Sequence, residues 1–119
     1  MILLNKKIKY NKMCIICSSK AENNNYKSIQ NLTDIDCSDC KSLTEIPIIC
    51  INNLTLLYCS YCENLTEIPI LPNLTELDCS YCINLTEIPI LPNLTKLDCS
   101  DCNSLTEILI LPNLIKLNC

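Results

Sequence analysis

Residues 54–73, 74–93 and 94–113 read LTLLYCSYCENLTEIPILPN, LTELDCSYCINLTEIPILPN and LTKLDCSDCNSLTEILILPN, one twenty-residue unit written three times. No other feature constrains the chain as much. Each copy is a single supersecondary unit too small to bury its own apolar side, so the copies must stack into a solenoid. Within 74–93 the apolar positions are Leu74, Leu77, Cys79, Cys82, Leu85, Ile88 and Leu91, a spacing that neither a helix nor a plain alternating strand gives. The stretch Leu77-Asp78-Cys79-Ser80 alternates in and out and predicts a short strand. Pro89 and Pro92 each lack a backbone donor and fix their own φ, so the rest of the unit predicts a turn near Asn84 and an extended, polyproline-like return.

The arrangement L-x-x-L-x-C-x-x-C-x-x-L resembles the leucine-rich repeat, in the variant with Cys at the ninth position and Leu at the twelfth. The resemblance runs from Leu32 to the end. The Ile-Pro-x-Leu-Pro-Asn segment is similar to the short, proline-marked repeats of bacterial LPX-type effectors, and the whole unit to repeat proteins of giant DNA viruses. The resemblance implies a leucine-rich-repeat solenoid with a parallel β-sheet on its concave face, little helix and a non-catalytic role in protein–protein interaction.

Residues 1–31 are less regular. Ile15-Ile16-Cys17-Ser18 overlays Ile35-Asp36-Cys37-Ser38 in the twenty-residue frame, and Tyr26 and Ile29 take the places of Ile46 and Ile49. Residues 12–31 therefore read as a worn first repeat, with residues 1–11 covering its open side and Lys20 and Asn23 making a wetter terminal coil. That gives about six strands in all. The repeat at 32–53 is two residues longer than the others, with the excess near Cys50 on the return side, where insertions are tolerated and where Cys50 falls outside both cysteine columns. A further copy opens at Leu114 and reaches Cys119. Its apolar edge at 114–119, with Ile115 in the threonine column, is expected to be covered by a second copy meeting it end to end or by another protein. The alternative is a repeat fragment with no partner of its own.

Composition excludes several function classes. The net charge is −4, and no basic cluster extends beyond Lys6, Lys7, Lys9 and Lys12, so nucleic acid is not an expected partner. No apolar run approaches the ~18 residues of a membrane span, and Met1-Ile2-Leu3-Leu4 is interrupted by Asn5-Lys6-Lys7 before a signal-peptide core can form. The expected location is the cytoplasm, that of a host cell if the protein is viral. Asn31, Asn53, Asn64, Asn73, Asn84 and Asn93 each open an Asn-Leu-Thr acceptor triplet, but each central Leu belongs to the repeat core, so these are read as structural positions. The chain has no His to serve as a base and no Gly for a phosphate loop, which leaves no catalytic constellation. The acids Glu45, Glu67, Glu87 and Glu107 recur as a ladder. At ~5 Å in water like charges repel by roughly 0.8 kcal/mol, so the ladder is expected on a wet face.

Twelve cysteines require an explanation, since Cys59-x-x-Cys62 followed sixteen residues later by Cys79-x-x-Cys82 matches a four-thiolate zinc spacing. A zinc- or redox-linked protein using its C-x-x-C pairs is thus an alternative. The repeat accounts for the same residues as buried columns: Cys37, Cys59, Cys79, Cys99 and Cys119 on the strand, Cys40, Cys62, Cys82 and Cys102 at the turn. Metal knuckles also favour Gly where the backbone turns, so neither a metal nor another cofactor is expected. Cys17 falls in the strand column of this frame and Cys14 in neither.

Recognition is expected where the copies differ. The outward strand positions give a small apolar and aromatic centre, Leu56, Tyr58, Tyr61 and Tyr81, ringed by Asp34, Asp36, Asp78 and Asp98. Aromatic anchors within a polar rim are a common interface design, and these acids favour a basic or mixed basic and apolar protein partner.

Overall fold

In a computed structural model of the chain, the described residues are 14–17, 29–47 and 52–119. They form a single parallel sheet of five three-residue strands in chain order: β1 (Asp34–Asp36), β2 (Leu56–Tyr58), β3 (Glu76–Asp78), β4 (Lys96–Asp98) and β5 (Lys116–Asn118). In β1 to β4 the middle residue points inward and its neighbours outward, so Ile35, Leu57, Leu77 and Leu97 form one buried row. Each strand pairs with the next one repeat on. Leu56 lies opposite Asp34, twenty-two residues earlier, whereas Glu76 lies opposite Leu56, twenty residues earlier. The two extra residues of 32–53 are thus absorbed without shifting the sheet register, as expected for an insertion on the return side.

Three tight turns close each coil, and each is bounded by buried apolar residues. In one coil these are Cys62 N–H to the Cys59 carbonyl at 3.3 Å, Leu65 N–H to Cys62 at 3.1 Å and Leu74 N–H to Leu71 at 3.2 Å. The intervening return arm is neither helix nor strand, in keeping with its prolines. Leu65, Ile68, Leu71, Leu85, Ile88 and Leu91 line its inner side and complete a core that runs the length of the stack.

Side chains tie coil to coil. Thr55, Thr75 and Thr95 each donate from Oγ1 to the threonine carbonyl of the preceding coil at 3.0–3.2 Å. Asn73, Asn93 and Asn113 donate from Nδ2 to carbonyls of the coil before at 2.6–2.7 Å. A second ladder, less evident in the sequence, runs through Asn64, Asn84 and Ser104 at 2.6 Å. The asparagine and serine bonds reach carbonyls outside the three-residue strands, whereas the threonine hydroxyls add to carbonyls that already accept backbone N–H groups of the next coil. Among the described residues no buried side-chain nitrogen or oxygen lacks a partner. Asn84→Ala should cost about 1 kcal/mol. Asn84→Asp, nearly isosteric, should cost more, because it turns an acceptor toward the Glu63 carbonyl; thermal melts of the two variants check the order.

The first-repeat overlay meets a difference. Residues 15–17 form a helical turn where the overlay expects a strand. Cys14 and Cys17 stand three apart, and a helical turn puts both on one side, where both are buried in the core with Ile16. The other features of that reading, at residues 1–11, Lys20, Asn23 and Tyr26, lie outside the described residues, as does Cys50. At the far end the last coil is less covered: Leu105, Ile108 and Leu114 are half-buried, and Ile115 and Leu117 are exposed.

Candidate functional site

The residues singled out from sequence fall on one side of the sheet, in rows set by its register. One row runs Asp34, Leu56, Glu76, Lys96, Lys116, and the next Asp36, Tyr58, Asp78, Asp98, Asn118. Just past the strands a third row runs Asp39, Tyr61, Tyr81, Asp101.

This third row carries the least ordinary geometry in the molecule. All four residues have positive φ, between 56° and 62°. Such angles suit glycine, and the chain has none. The cause is the C-S-x-C turn: with the Cys59 carbonyl accepting from Cys62 N–H and only Tyr61 at positive φ, the turn is type II, whose third residue must be left-handed. What stabilises it is the sheet ladder, which continues through the turn as Asp39, Tyr61 and Tyr81 donate N–H to the serine carbonyls of the following coil at 2.8–2.9 Å. Asp accepts this conformation comparatively well; Tyr at such an angle carries of order 1–2 kcal/mol of strain. A left-handed turn thus forms here without glycine.

The two strained tyrosines stack. Their ring centroids are 4.4 Å apart with planes 5° from parallel, and each side chain remains about two-fifths exposed. Asp101, next in the row, hydrogen-bonds the Tyr81 hydroxyl and raises its pKa. Tyr58, half-buried in β2, reaches the Glu76 carboxylate at 3.4 Å; burial first, then that carboxylate, raises its pKa. Leu56 lies beside it, half-buried.

The acids are less free than their outward positions suggest. Asp78 and Asp98 are half-buried, and in each Oδ1 accepts from both the N–H and the hydroxyl of the serine two residues on, at 2.6–3.0 Å. Burial opposes the Asp98 charge, but Ser100 and Asn118 outweigh it and hold its pKa below the ordinary value. Asp36 makes the N–H contact alone, at 3.1 Å, and stays exposed, as does Asp34. Glu76 is committed to Lys96 at 3.0 Å. The face is thus acidic at its β1 end and mixed toward β5. Asp39 and Asp101, which occupy the same column of the repeat as Tyr61 and Tyr81, terminate the tyrosine row and belong with it. Their sequence signal is the change between Asp and Tyr in the C-S-x-C column.

Elsewhere Glu45, Glu67, Glu87 and Glu107 are all exposed, in keeping with a wet ladder. On the return side Ile70, Ile90 and Ile110 form a column that is 53–87% exposed. The Nδ2 atoms of Asn64, Asn73, Asn84 and Asn93, which glycosylation would modify, are engaged between coils. An open cleft of about 610 Å³ borders the last coil, lined by Cys99, Asp101, Cys102, Leu105 and Cys119 among others; it is a continuation of the core past that coil and gathers no acid–base pair. No helix among the described residues is long and apolar enough to cross a membrane.

The cysteine columns are buried except at Cys119, which is exposed because no further coil covers it among the described residues, and the turn column is bonded. Cys62, Cys82 and Cys102 donate from Sγ to the carbonyls of Cys37, Cys59 and Cys79 in the preceding coil at 3.0–3.1 Å. Cys40 differs: its sulfur accepts from Cys14 N–H at 3.4 Å and lies 3.6 Å from Cys17 Sγ. Cys17 and Cys37 both hydrogen-bond the Cys14 thiol and hold its pKa well below the ordinary range, while their own are raised.

Comparison with known proteins agrees with this architecture. Residues 72–113 match the family model described as Leucine Rich repeats (2 copies). No curated protein and no solved structure matches the chain.

Proposed function

We propose, from the premise that this chain is a leucine-rich-repeat solenoid, that it is a non-catalytic module that binds a protein through the outward side of its sheet. The observation that carries the reading is the Tyr61–Tyr81 stack. Two large side chains are held at strained backbone angles with their rings partly in solvent, where a glycine or aspartate would fit the turn more easily. Strain of this kind at an exposed position is found where a side chain has a task outside the fold. Leu56 and Tyr58 extend the apolar surface, and Asp34, Asp36, Asp39 and Asp101 border it.

The partner this face suits is a basic and apolar segment. An Arg or Lys side chain lying along the tyrosine rings gains a cation–π contact of ~0.5–2 kcal/mol and meets a carboxylate at either end of the row. Asp78 and Asp98, bound to their serines, shape the floor more than they supply free charge. Tyr58→Ala, Tyr61→Gly and Tyr81→Gly should each weaken binding by more than ~1 kcal/mol, and added salt should slow association. The test is affinity capture from cells of the source with wild-type protein and with the Tyr61→Gly/Tyr81→Gly pair. A protein held by the first and lost by the second supports the reading; identical capture by both contradicts it.

A further inference from the structure

The C-x-x-C turns fall into two kinds. In three of them the second cysteine spends its thiol on a carbonyl of the coil before. Cys40 belongs to the first coil of the sheet, and in place of that carbonyl it meets the helical turn carrying Cys14 and Cys17. The sulfurs of Cys14, Cys17 and Cys40 all lie within 4.8 Å of one another, and all three residues are buried, as is Cys37 in the same C-x-x-C turn as Cys40. Three thiols thus converge on one point, and Cys37, three residues before Cys40, completes the pattern C-x2-C-x19-C-x2-C, which is a four-thiolate spacing.

We propose that Cys14, Cys17, Cys37 and Cys40 form a structural Zn²⁺ site that fastens the N-terminal helical turn to the first coil of the solenoid. A tetrahedral zinc with Zn–S bonds of ~2.3 Å separates its sulfurs by about 3.8 Å. The Cys17–Cys40 separation of 3.6 Å already meets this, Cys14 needs to close in by about 1 Å at most, and Cys37 completes the set by turning its thiol toward the other three. The Cys14 N–H directed at Cys40 Sγ is the kind of donor that supports a ligand thiolate. Asp39, left-handed at φ 62°, provides the backbone reversal between Cys37 and Cys40 without a glycine. Binding is a simple exchange: one Zn²⁺ enters, four Zn–S bonds form and whatever protons the thiols still hold pass to water, with no change of oxidation state. The repeat columns at Cys59, Cys62, Cys79 and Cys82 take no part. The zinc spacing they show in the sequence is a product of the repeat, whereas the first pair is set apart by lying outside it.

The test uses the full chain expressed with zinc supplied and purified under reducing conditions. Elemental analysis should find about one zinc per chain. Replacement by Co²⁺ should give the intense visible absorption of tetrahedral thiolate cobalt. Cys17→Ala and Cys40→Ala should lose the stoichiometric metal, while Cys119→Ala, at an exposed thiol, should keep it. Folded wild-type protein, verified by circular dichroism, that carries no metal would overturn the proposal. So would Cys17→Ala protein that retains it.

Discussion

Leu77→Ala is expected to lower the unfolding free energy by about 2–5 kcal/mol. Leu77 is buried at the middle of β3, with Leu57 on one side in the register and Leu97 on the other. Its loss leaves a cavity that its neighbours cannot fill without moving their own coils. In a solenoid each coil is stabilised chiefly by the two it touches, so a fault in the middle also weakens the coupling of the halves. Set against the 5–15 kcal/mol that holds a typical domain together, this is a large share. The same substitution at Leu117, already half in solvent, should cost well under 1 kcal/mol, and Glu87→Ala should be neutral or slightly stabilising because it relieves the acidic ladder. Urea unfolding of the three variants checks the gradient. A harmless Leu77→Ala beside a ruinous Glu87→Ala would mean that the inward and outward rows are interchanged.

Tyr81→Pro should be comparably severe, at ~3 kcal/mol or more, whereas Tyr81→Gly should stay within about 1 kcal/mol of wild type. Proline fixes φ near −65°, and Tyr81 has φ 57°. Proline also removes the N–H that donates to Ser100 at 2.8 Å. Glycine keeps that bond and relieves the left-handed strain of about 1–2 kcal/mol. Against this it forfeits the stack with Tyr61, worth ~0.5–1.5 kcal/mol, and adds freedom to the unfolded chain. The opposing terms are similar in size. Thermal melts give the order directly, and a Tyr81→Gly protein as unstable as Tyr81→Pro would show that the ring, not the backbone, holds the turn. This near-neutrality also makes the glycine variants clean tools for the binding test, since they remove the aromatic surface and leave the sheet.

The period carries most of the fold because it acts as a distance rule: residues twenty apart are neighbours. That rule places Thr75 on Thr55, Leu77 on Leu57 and Tyr81 beside Tyr61 before any coordinates are known. It also identifies the outward rows, so the candidate face is legible as a set of positions. It does not give backbone angles. The left-handed turn at Tyr61 and Tyr81 is hidden because its usual marker, glycine, is missing, and with it the reason the tyrosines are strained. The roles of Asp78 and Asp98 are readable only in part. Their Asp-x-Ser spacing permits a local hydrogen bond, but the same acids in extended strands could equally face solvent. The N-terminal turn is misread for a different reason. Extending the repeat frame to Ile15-Ile16-Cys17 presumes a strand, whereas the local i, i+3 pairing of Cys14 and Cys17 favours a helical turn on a coil that offers Cys37 and Cys40. Where the copies stop being regular, the period ceases to inform and local spacing takes over.

The claim at the centre of this account is that the sheet side, not the return side, meets the partner. It is tested most directly by site-specific photo-cross-linking in cells of the source, with benzoylphenylalanine placed at Tyr81 in one protein and at Ile90 in another. Both positions are exposed, at 40% and 53%, and they lie on different arms of the same coil. Illumination should join position 81 to a discrete protein and leave position 90 without one. A discrete product from position 90, with none from position 81, would place recognition on the exposed isoleucine column and contradict the reading.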